Sequence, residues 1–255
     1  MLLSIAMMVK NEERFLDNTL SALKPVLETL DSELVILDTG SSDKTIDIAK
    51  KYTDKVYSAV WNKNFADMRN KSISYCKGEW ILIVDGDEVL ENPKEIREFF
   101  EDNLHKKYNS AIVNIKNITS SKYSSYVMGS FFRLFKNDGD FKYIGRIHEQ
   151  PLYKEPCVKL EAVFKHYGYS RDDHNIMIYK YERNIEILLE ELGKNPKDIY
   201  ILFQIAQTYS MARENKKALS VISDAIDIIG KEVNPKYIYI YHFYVKELLI
   251  AKKYK

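Results

Sequence analysis

The chain has 255 residues, of which 45% are hydrophobic, so it is long enough to form one large domain or two small ones. Its 38 lysines and arginines nearly balance its 37 aspartates and glutamates, and the formal charge of +1 gives no reason to expect a nucleic-acid partner. The two cysteines, Cys76 and Cys157, are far apart and match no zinc-binding spacing, which suggests a reducing compartment or at least no disulfide framework.

The chain opens with a short apolar segment, residues 1–9, that runs into a charged stretch. The segment is too short to span a membrane, and it lacks the basic start and the small-residue cleavage site of a signal peptide. We therefore interpret residues 3–9 as the first strand of a cytoplasmic protein without a transmembrane segment. Asn11 is expected to cap a helix that begins at Glu12 and ends near Pro25.

Strand and helix patterns then alternate along the chain to about residue 104. The further predicted elements are strands at 33–37, 56–60 and 80–84, and helices that begin near Asp43, at Asn64 or Phe65, and at Pro93. Strands that alternate with helices of about ten residues form right-handed βαβ units and a parallel sheet. Such sheets bind ligands at the carboxyl ends of their strands.

Charged side chains follow three of these predicted strands. Lys10 follows the first strand, Asp38 follows the second, and Asp85 and Asp87 follow the fourth. In an extended chain Asp85 and Asp87 point to the same side, roughly 6–7 Å apart, and Gly86 between them allows a ligand to approach the backbone. Carboxylates at this spacing suit a hard divalent cation that keeps room for phosphate oxygens. The alternative is a solvated acidic turn that caps the next helix.

The next part of the chain is richer in strands, which are predicted at 110–115, 128–135 and 158–164. Two polar clusters lie among its aromatic and aliphatic residues, one around Arg146 and His148 and one around His166. Such clusters are typical of the wall of a site. The alternative for each histidine is a core side chain that bonds to a backbone carbonyl.

From about residue 173 the strand patterns end, and aliphatic residues recur at helical spacing. Helices are predicted from about residue 176 to Gly193 and at 199–212, 216–229 and 237–249. The small and aliphatic residues of 199–229 fit a tetratricopeptide repeat, in which small residues lie where two helices cross closely. We therefore divide the chain into residues 1–172 and a tetratricopeptide-like domain of residues 173–255. The alternative for the tail is a plain helical hairpin.

Six short segments, taken in order, carry a resemblance to a known family. They are Met8-Val-Lys-Asn-Glu-Glu, Leu37-Asp-Thr-Gly-Ser-Ser-Asp-Lys-Thr, Trp61 through Phe65 to Arg69-Asn70, Gly78-Glu-Trp through Asp85-Gly-Asp-Glu, Arg146-Ile-His-Glu, and His166-Tyr-Gly-Tyr. In order and spacing they resemble the family 2 glycosyltransferases, in particular the bacterial branch with C-terminal tetratricopeptide repeats. The resemblance implies an α/β catalytic domain with the GT-A fold, a Rossmann-like mixed sheet, followed by the all-α tail.

The resemblance also implies an activity, which is metal-dependent hexosyl transfer with inversion from a nucleotide diphosphate sugar, with a UDP-sugar as the expected donor. It implies that Asp87 and His166 bind Mn²⁺ or Mg²⁺ and that Glu149 is the general base. The residues implied in donor binding are Met8, Val9, Lys10, Glu12, Asp38, Thr39, Arg69, Asp85 and Gly86. Arg69 would face the diphosphate or hold Asp38 and Asp85 in place. The residues implied in acceptor binding or in the site wall are Arg146, His148 and Tyr169.

The acceptor stays open, with a peptide or protein, a saccharide and a lipid as candidates. The tail is expected to bind the acceptor or to form a homodimer. A nucleotidyltransferase would also combine a parallel sheet, carboxylates and a metal, but residues 7–14 lack the glycines that hold a triphosphate. The remaining alternative is a non-catalytic scaffold, in which the tail binds a protein and the sheet domain is a relic.

Overall fold

The structure is a computed structural model that describes residues 1–120, 124–168 and 174–253. The chain divides into two compact units, Met1–Asp172 and Asp173–Lys255. The strands are β1 Leu3–Val9, β2 Ser32–Asp38, β3 Val56–Ser58, β4 Trp80–Asp85, β5 Glu88–Leu90, β6 Ser110–Ser120, β7 Ser125–Lys136, β8 Tyr143–Ile144, β9 Gln150–Pro151 and β10 Cys157–His166. The helices are α1 Leu16–Thr29, α2 Thr45–Ala49, α3 Phe65–Ile73, α4 Pro93–Glu101, α5 His174–Lys194, α6 Ile199–Met211, α7 Asn215–Ile229 and α8 Ile238–Lys253.

Eight of the strands in the described residues form one mixed sheet in the order β3-β2-β1-β4-β7-β6-β10-β5. The strands β3, β2, β1 and β4 run parallel, as the βαβ pattern predicts. Strand β7 runs antiparallel to both β4 and β6, and β5 runs antiparallel to β10. The predicted α/β class with a mixed sheet is therefore confirmed. The remaining two strands, β8 and β9, form a separate ribbon.

Strands β1 and β4 lie in the middle of the sheet and are covered on both faces. One face packs against α1 and α4, where Trp80 meets the rings of Phe99 and Phe100 edge to face. The other face includes Ala6 and packs against α3 through Ala66. Burial on both faces explains why these strands are nearly continuous apolar runs. It also leaves their carboxyl ends as the places where polar side chains emerge.

Helix α1 differs from its predicted bounds at both ends. It begins at Leu16, because Asn11 adopts a φ of 54° and accepts the Ser42 N–H at 2.8 Å, so Asn11 ties two loops together and caps no helix. The helix also continues through Pro25 to Thr29. A proline inside a helix removes one hydrogen bond, but the neighbouring Leu23 and Val26 are fully buried, and their burial offsets that loss.

The second unit is a series of helices in which each packs against the next along the chain. Its core joins residues of α6, α7 and α8 and includes the buried small residues Ala206 and Ala225. Small residues at helix crossings agree with the tetratricopeptide-like interpretation, which stays a prediction. None of the helices in the described part of the chain has both the length and the apolar character needed to cross a bilayer.

Candidate active site

The carboxyl ends of three parallel strands lie side by side in the first unit. Strand β1 is placed between β2 and β4, and its register aligns Val9 with Asp38 and Met8 with Asp85. Asp38 is buried and accepts the N–H groups of Gly40 at 2.9 Å and Ser41 at 3.1 Å, which shapes the loop after β2. The pairing of these strands therefore brings Met8, Val9, Asp38 and Asp85 to one edge of the sheet.

Asp87 lies beside His166 because β5, the strand that follows Asp87, pairs with β10 at the edge of the sheet. After Asp85 the chain turns at Gly86 and enters β5, which pairs with β10 so that Glu88 lies opposite His166. The carbonyl of Asp87 accepts the N–H of Tyr167 at 3.1 Å. As a result, Asp87 Oδ1 lies 3.3 Å from His166 Nε2, although the two residues are far apart in sequence.

The orientation of the His166 ring is set by Asn117 on β6. Asn117 Oδ1 lies 2.8 Å from His166 Nδ1 and can accept a proton from that nitrogen. In the neutral ring this leaves the Nε2 lone pair directed toward Asp87. Burial alone would lower the pKa of His166, but the hydrogen bond and charge of Asp87 outweigh it and raise that pKa above its ordinary value. Nε2 of His166 can thus donate a proton to Asp87 when the ring is protonated and can act as a metal ligand when it is not.

Asp85 lies between two guanidinium groups. Arg69 Nη2 is 2.8 Å from Asp85 Oδ1, and Arg133 Nη2 is 3.2 Å from Asp85 Oδ2. Burial alone would raise the pKa of Asp85, but the charges of Arg69 and Arg133 lower it well below its ordinary value. Asp85 is therefore held as a carboxylate whose oxygens both contact the protein.

Arg69 on α3 connects Asp85 to the predicted base. Its Nε donates to Glu149 Oε1 at 2.7 Å, and its Nη2 donates to Asp85, while its side chain is only 10% exposed. Of the two roles left open for Arg69, these contacts favour the positioning role, with Asp85 and Glu149 as the groups held. One buried cation thus fixes the distance between the Asp85-Gly-Asp87 turn and Glu149.

We expect Arg69→Met to lower the free energy of unfolding of the first unit by about 3–5 kcal/mol, because it leaves two carboxylates without their shared cation. Urea unfolding followed by tryptophan fluorescence measures this, since the only two tryptophans, Trp61 and Trp80, lie in the first unit. Lys71→Met, at an exposed position on the same helix, is the matched control and should change stability little. A loss equal to that of the control would mean that solvent screens the ion pairs.

Glu88 is the last residue of the acidic segment Asp85-Gly-Asp-Glu, and two further residues of this network, Arg133 and Asn117, are not predicted from the sequence. Glu88 is buried, accepts the N–H of Asp85 at 3.0 Å and pairs with Arg133. Burial raises the pKa of Glu88, partly offset by the charge of Arg133. Arg133 lies on β7, and Asn117 lies on β6. A polar residue inside an otherwise apolar strand, such as the arginine in Phe-Phe-Arg-Leu-Phe, is the signal that could have identified them.

Two predicted site residues have packing roles that the sequence did not predict. Thr39 is buried, and both its N–H and its hydroxyl donate to the Val9 carbonyl, at 2.9 and 3.1 Å. A Cβ on Gly86 would lie 2.9 Å from Glu12 Cγ and 3.1 Å from Val9 Cγ1. The close packing of the loop after β1 therefore explains Gly86, whereas the sequence interpretation was the approach of a ligand.

The remaining predicted site residues are spread around this centre. Arg146 donates from Nε to the Lys63 carbonyl at 3.3 Å and accepts the Phe65 N–H at 2.8 Å, so it joins the start of α3 to the segment that carries Glu149. His148 is exposed, with a φ of 52°, which excludes the core alternative for this residue. Lys10 is half-buried just after β1. Tyr169 lies outside the described residues.

Asp87 and His166 fit a divalent cation of the magnesium or manganese type. Adjacent ligands of an octahedral ion with bonds of about 2.1 Å are about 3 Å apart, and the observed separation of 3.3 Å is close to this. The described residues contain no group of three or more His, Cys, Asp or Glu side chains that could hold an ion. The protein would thus supply two ligands, and phosphate oxygens and water would supply the others, as is common for Mg²⁺.

Comparison with known proteins identifies the family. Residues 4–153 match the profile described as Glycosyl transferase family 2, which is more than half of the chain. The chain belongs to this family. A TPR repeat-containing protein of Synechococcus elongatus is 28% identical over 257 residues, covering 96% of this chain and 61% of the relative. The SPbeta prophage-derived glycosyltransferase SunS of Bacillus subtilis is 25% identical over 239 residues, covering 88% of this chain and 53% of the relative.

This family 2 chain thus spans about half to three fifths of the length of these relatives. Among solved structures, S. aureus TarS matches with a TM-score of 0.50 and 15% identity, covering 97% of this chain and 54% of that chain. At that identity the likeness concerns the fold alone, and it confirms the predicted GT-A class. Residues 1–349 of TarS in complex with UDP-GlcNAc match at a TM-score of 0.45 and 14% identity, covering 89% of this chain and 81% of that chain.

Proposed function

We propose that this chain transfers a hexose from a nucleotide diphosphate sugar to an acceptor, with inversion at the anomeric carbon and with Mn²⁺ or Mg²⁺ as cofactor. The observation that carries the proposal is the pairing of Asp87 with His166 at the carboxyl end of β4, 3.3 Å apart. Membership of glycosyltransferase family 2 supports the reaction class.

The donor would bind along the carboxyl ends of β1, β2 and β4. Asp38 and the backbone of Met8 and Val9 would contact the nucleoside there, and Lys10 adds a positive charge suited to the diphosphate. Uridine is the nucleoside that we propose, and TarS, which shares the fold, has been solved with UDP-GlcNAc. Membership of the family is compatible with other bases, so guanosine and thymidine diphosphates are the comparison ligands.

A bound cation would neutralise the charge that develops on the diphosphate leaving group. The chain's own residues would perform the other tasks. Glu149, 13% exposed and held through Oε1 by Arg69, would accept the proton of the acceptor nucleophile. Arg69 also holds Asp85. The distance between Glu149 and the Asp85-Gly-Asp87 turn would therefore stay the same during the reaction.

For the acceptor we propose a peptide or protein, with a saccharide as the second class. Stacked helical repeats form extended binding surfaces. A relative whose alignment covers 96% of this chain is named for TPR repeats. The helical unit of residues 173–255 would then hold the acceptor. Self-association of this unit into a homodimer is the other proposed use.

The test is calorimetric titration of the full chain with uridine diphosphate, first with Mn²⁺ and then with a chelator. We expect binding with Mn²⁺ and a loss of at least tenfold in affinity with the chelator. Binding of none of the three nucleoside diphosphates under either condition would contradict the proposal and would favour the non-catalytic scaffold. Equal binding with and without metal would remove the cation from the proposal.

A further inference from the structure

Strand β7 contains a bulge at Arg133. In its pairing with β6, Ala111 lies opposite Leu134, but the next residue of β6, Ile112, lies opposite Phe132. Arg133 is therefore the extra residue of β7 and has no partner position in the ladder. Bulges of this kind bend a strand and redirect one side chain, and they are frequent next to active sites.

The redirected side chain contacts both ends of the segment 85–88. Arg133 Nη2 lies 3.2 Å from Asp85 Oδ2 and also pairs with Glu88 Oε1. Glu88 in turn accepts the backbone N–H of Asp85 through Oε2 at 3.0 Å. Arg133 and Glu88 together thus close the four-residue segment 85–88, in which Asp87 is the third residue.

The position of Arg133 is set by these carboxylates. Its side chain is 13% exposed, and its Nε is buried without a hydrogen-bond partner in the described part of the chain. A buried N–H without a partner costs free energy, and an apolar residue could fill the same space without that cost. The arrangement is accounted for if the guanidinium must lie between Asp85 and Glu88.

We propose that Arg133 is a positioning residue for the transferase site: it fixes Asp85 and Glu88 so that Asp87 faces His166. The expected effect on the Mn²⁺ requirement rests on the proposed function. The expected effect on the distance between Asp87 and His166 does not. Both contacts of Arg133 come from one nitrogen, Nη2, whose two N–H groups have fixed directions in the planar guanidinium, whereas a lysine ammonium is a point charge on a flexible stem without that geometry.

The test compares Arg133→Met, Arg133→Lys and the control Lys136→Met, which removes an exposed cation from the same strand. Release of uridine diphosphate from UDP-glucose and UDP-N-acetylglucosamine is measured against Mn²⁺ concentration. We expect Arg133→Met to raise the Mn²⁺ concentration for half-maximal rate by about 10- to 100-fold, as removal of an outer residue of a metal site usually does. Arg133→Lys should recover only part of this loss, and Lys136→Met should behave as wild type.

A second readout does not depend on activity. Crystal structures of metal-free wild type and Arg133→Met are compared for the separation of Asp87 Oδ1 and His166 Nε2, which we expect to increase in the variant. An unchanged separation together with an unchanged Mn²⁺ requirement would overturn the proposal. If wild type binds no nucleotide with Mn²⁺, the proposed function fails, and the separation alone then decides on Arg133.

Removal of one partner of a buried ion pair can unfold a protein, so a double variant is included. Arg133→Met with Glu88→Gln removes both charges and is expected to restore the wild-type melting temperature in large part. Its Mn²⁺ requirement should stay as high as that of a folded Arg133→Met variant. A wild-type Mn²⁺ requirement in the folded double variant would overturn the positioning role.

Discussion

Asp87→Ala is expected to abolish Mn²⁺-dependent binding of uridine diphosphate and to lower the rate of donor cleavage by at least about 10³-fold. The reason is that Asp87 and His166 are the two protein ligands proposed for the cation. A cation that stabilises the leaving group contributes several kcal/mol to the transition state, and each 1.4 kcal/mol is about tenfold in rate. Calorimetry and release of uridine diphosphate from a UDP-sugar measure the two effects.

The chain offers a matched control in its second Asp-Gly-Asp tripeptide, Asp138 to Asp140. Asp140 contacts Lys154 at 3.2 Å, and its side chain is 81% exposed. Asp140→Ala should therefore leave nucleotide binding and donor cleavage unchanged. Retention of metal-dependent binding in Asp87→Ala would show that the cation, if one binds, is held elsewhere.

Glu149→Gln should separate binding from turnover. The amide keeps the shape of the side chain and can still accept from Arg69 Nε, so the affinity for uridine diphosphate with Mn²⁺ should stay within about twofold. It cannot take a proton from the acceptor, and loss of a general base typically lowers the rate by about 10²–10⁴-fold. The measurement is donor cleavage with water or a peptide as the acceptor, beside calorimetry of the same preparation.

Glu155→Gln is the control for this variant, since Glu155 is exposed in the same part of the chain. It should cleave the donor at the wild-type rate. If Glu149→Gln cleaves at nearly that rate, another residue is the base and Glu149 serves only to hold Arg69. Loss of nucleotide binding together with rate would instead indicate that the salt bridge from Arg69 to Glu149 maintains the donor site.

Local patterns were sufficient for the part of the site that lies on the parallel strands. Each apolar run predicts a buried strand, and the first polar residue after the run, Asp38 at the end of β2 and Asp85 at the end of β4, must lie where the strand emerges. The alternation of strands and helices predicts parallel strands, and parallel strands have their carboxyl ends on one edge of the sheet. The parallel half of the fold therefore follows from residues that are near each other in sequence.

The first helix shows where local reasoning fails. Asn11 followed by acidic residues is a good capping signal, yet Asn11 bonds to the loop after β2 and the helix begins at Leu16. The polar side chain had two ways to satisfy its hydrogen bonds, and the neighbouring strand decided between them. Gly86 also has a role that depends on residues distant in sequence, because its missing Cβ makes room for Glu12 and Val9.

The sequence by itself therefore determined the α/β class, the order of the elements and the carboxylates at the strand ends, because these depend on short-range patterns of burial. The resemblance to the family implies that Asp87 and His166 share a metal, but only the tertiary structure supplied the contact between them, and only it placed Arg69 between Asp85 and Glu149 and Arg133 at the bulge. The first placement depends on the pairing of β5 with β10, and the last depends on the register between β6 and β7. The sequences of these strands do not reveal their pairing. Register between distant strands is set by how all their side chains pack together, and no single segment contains that information.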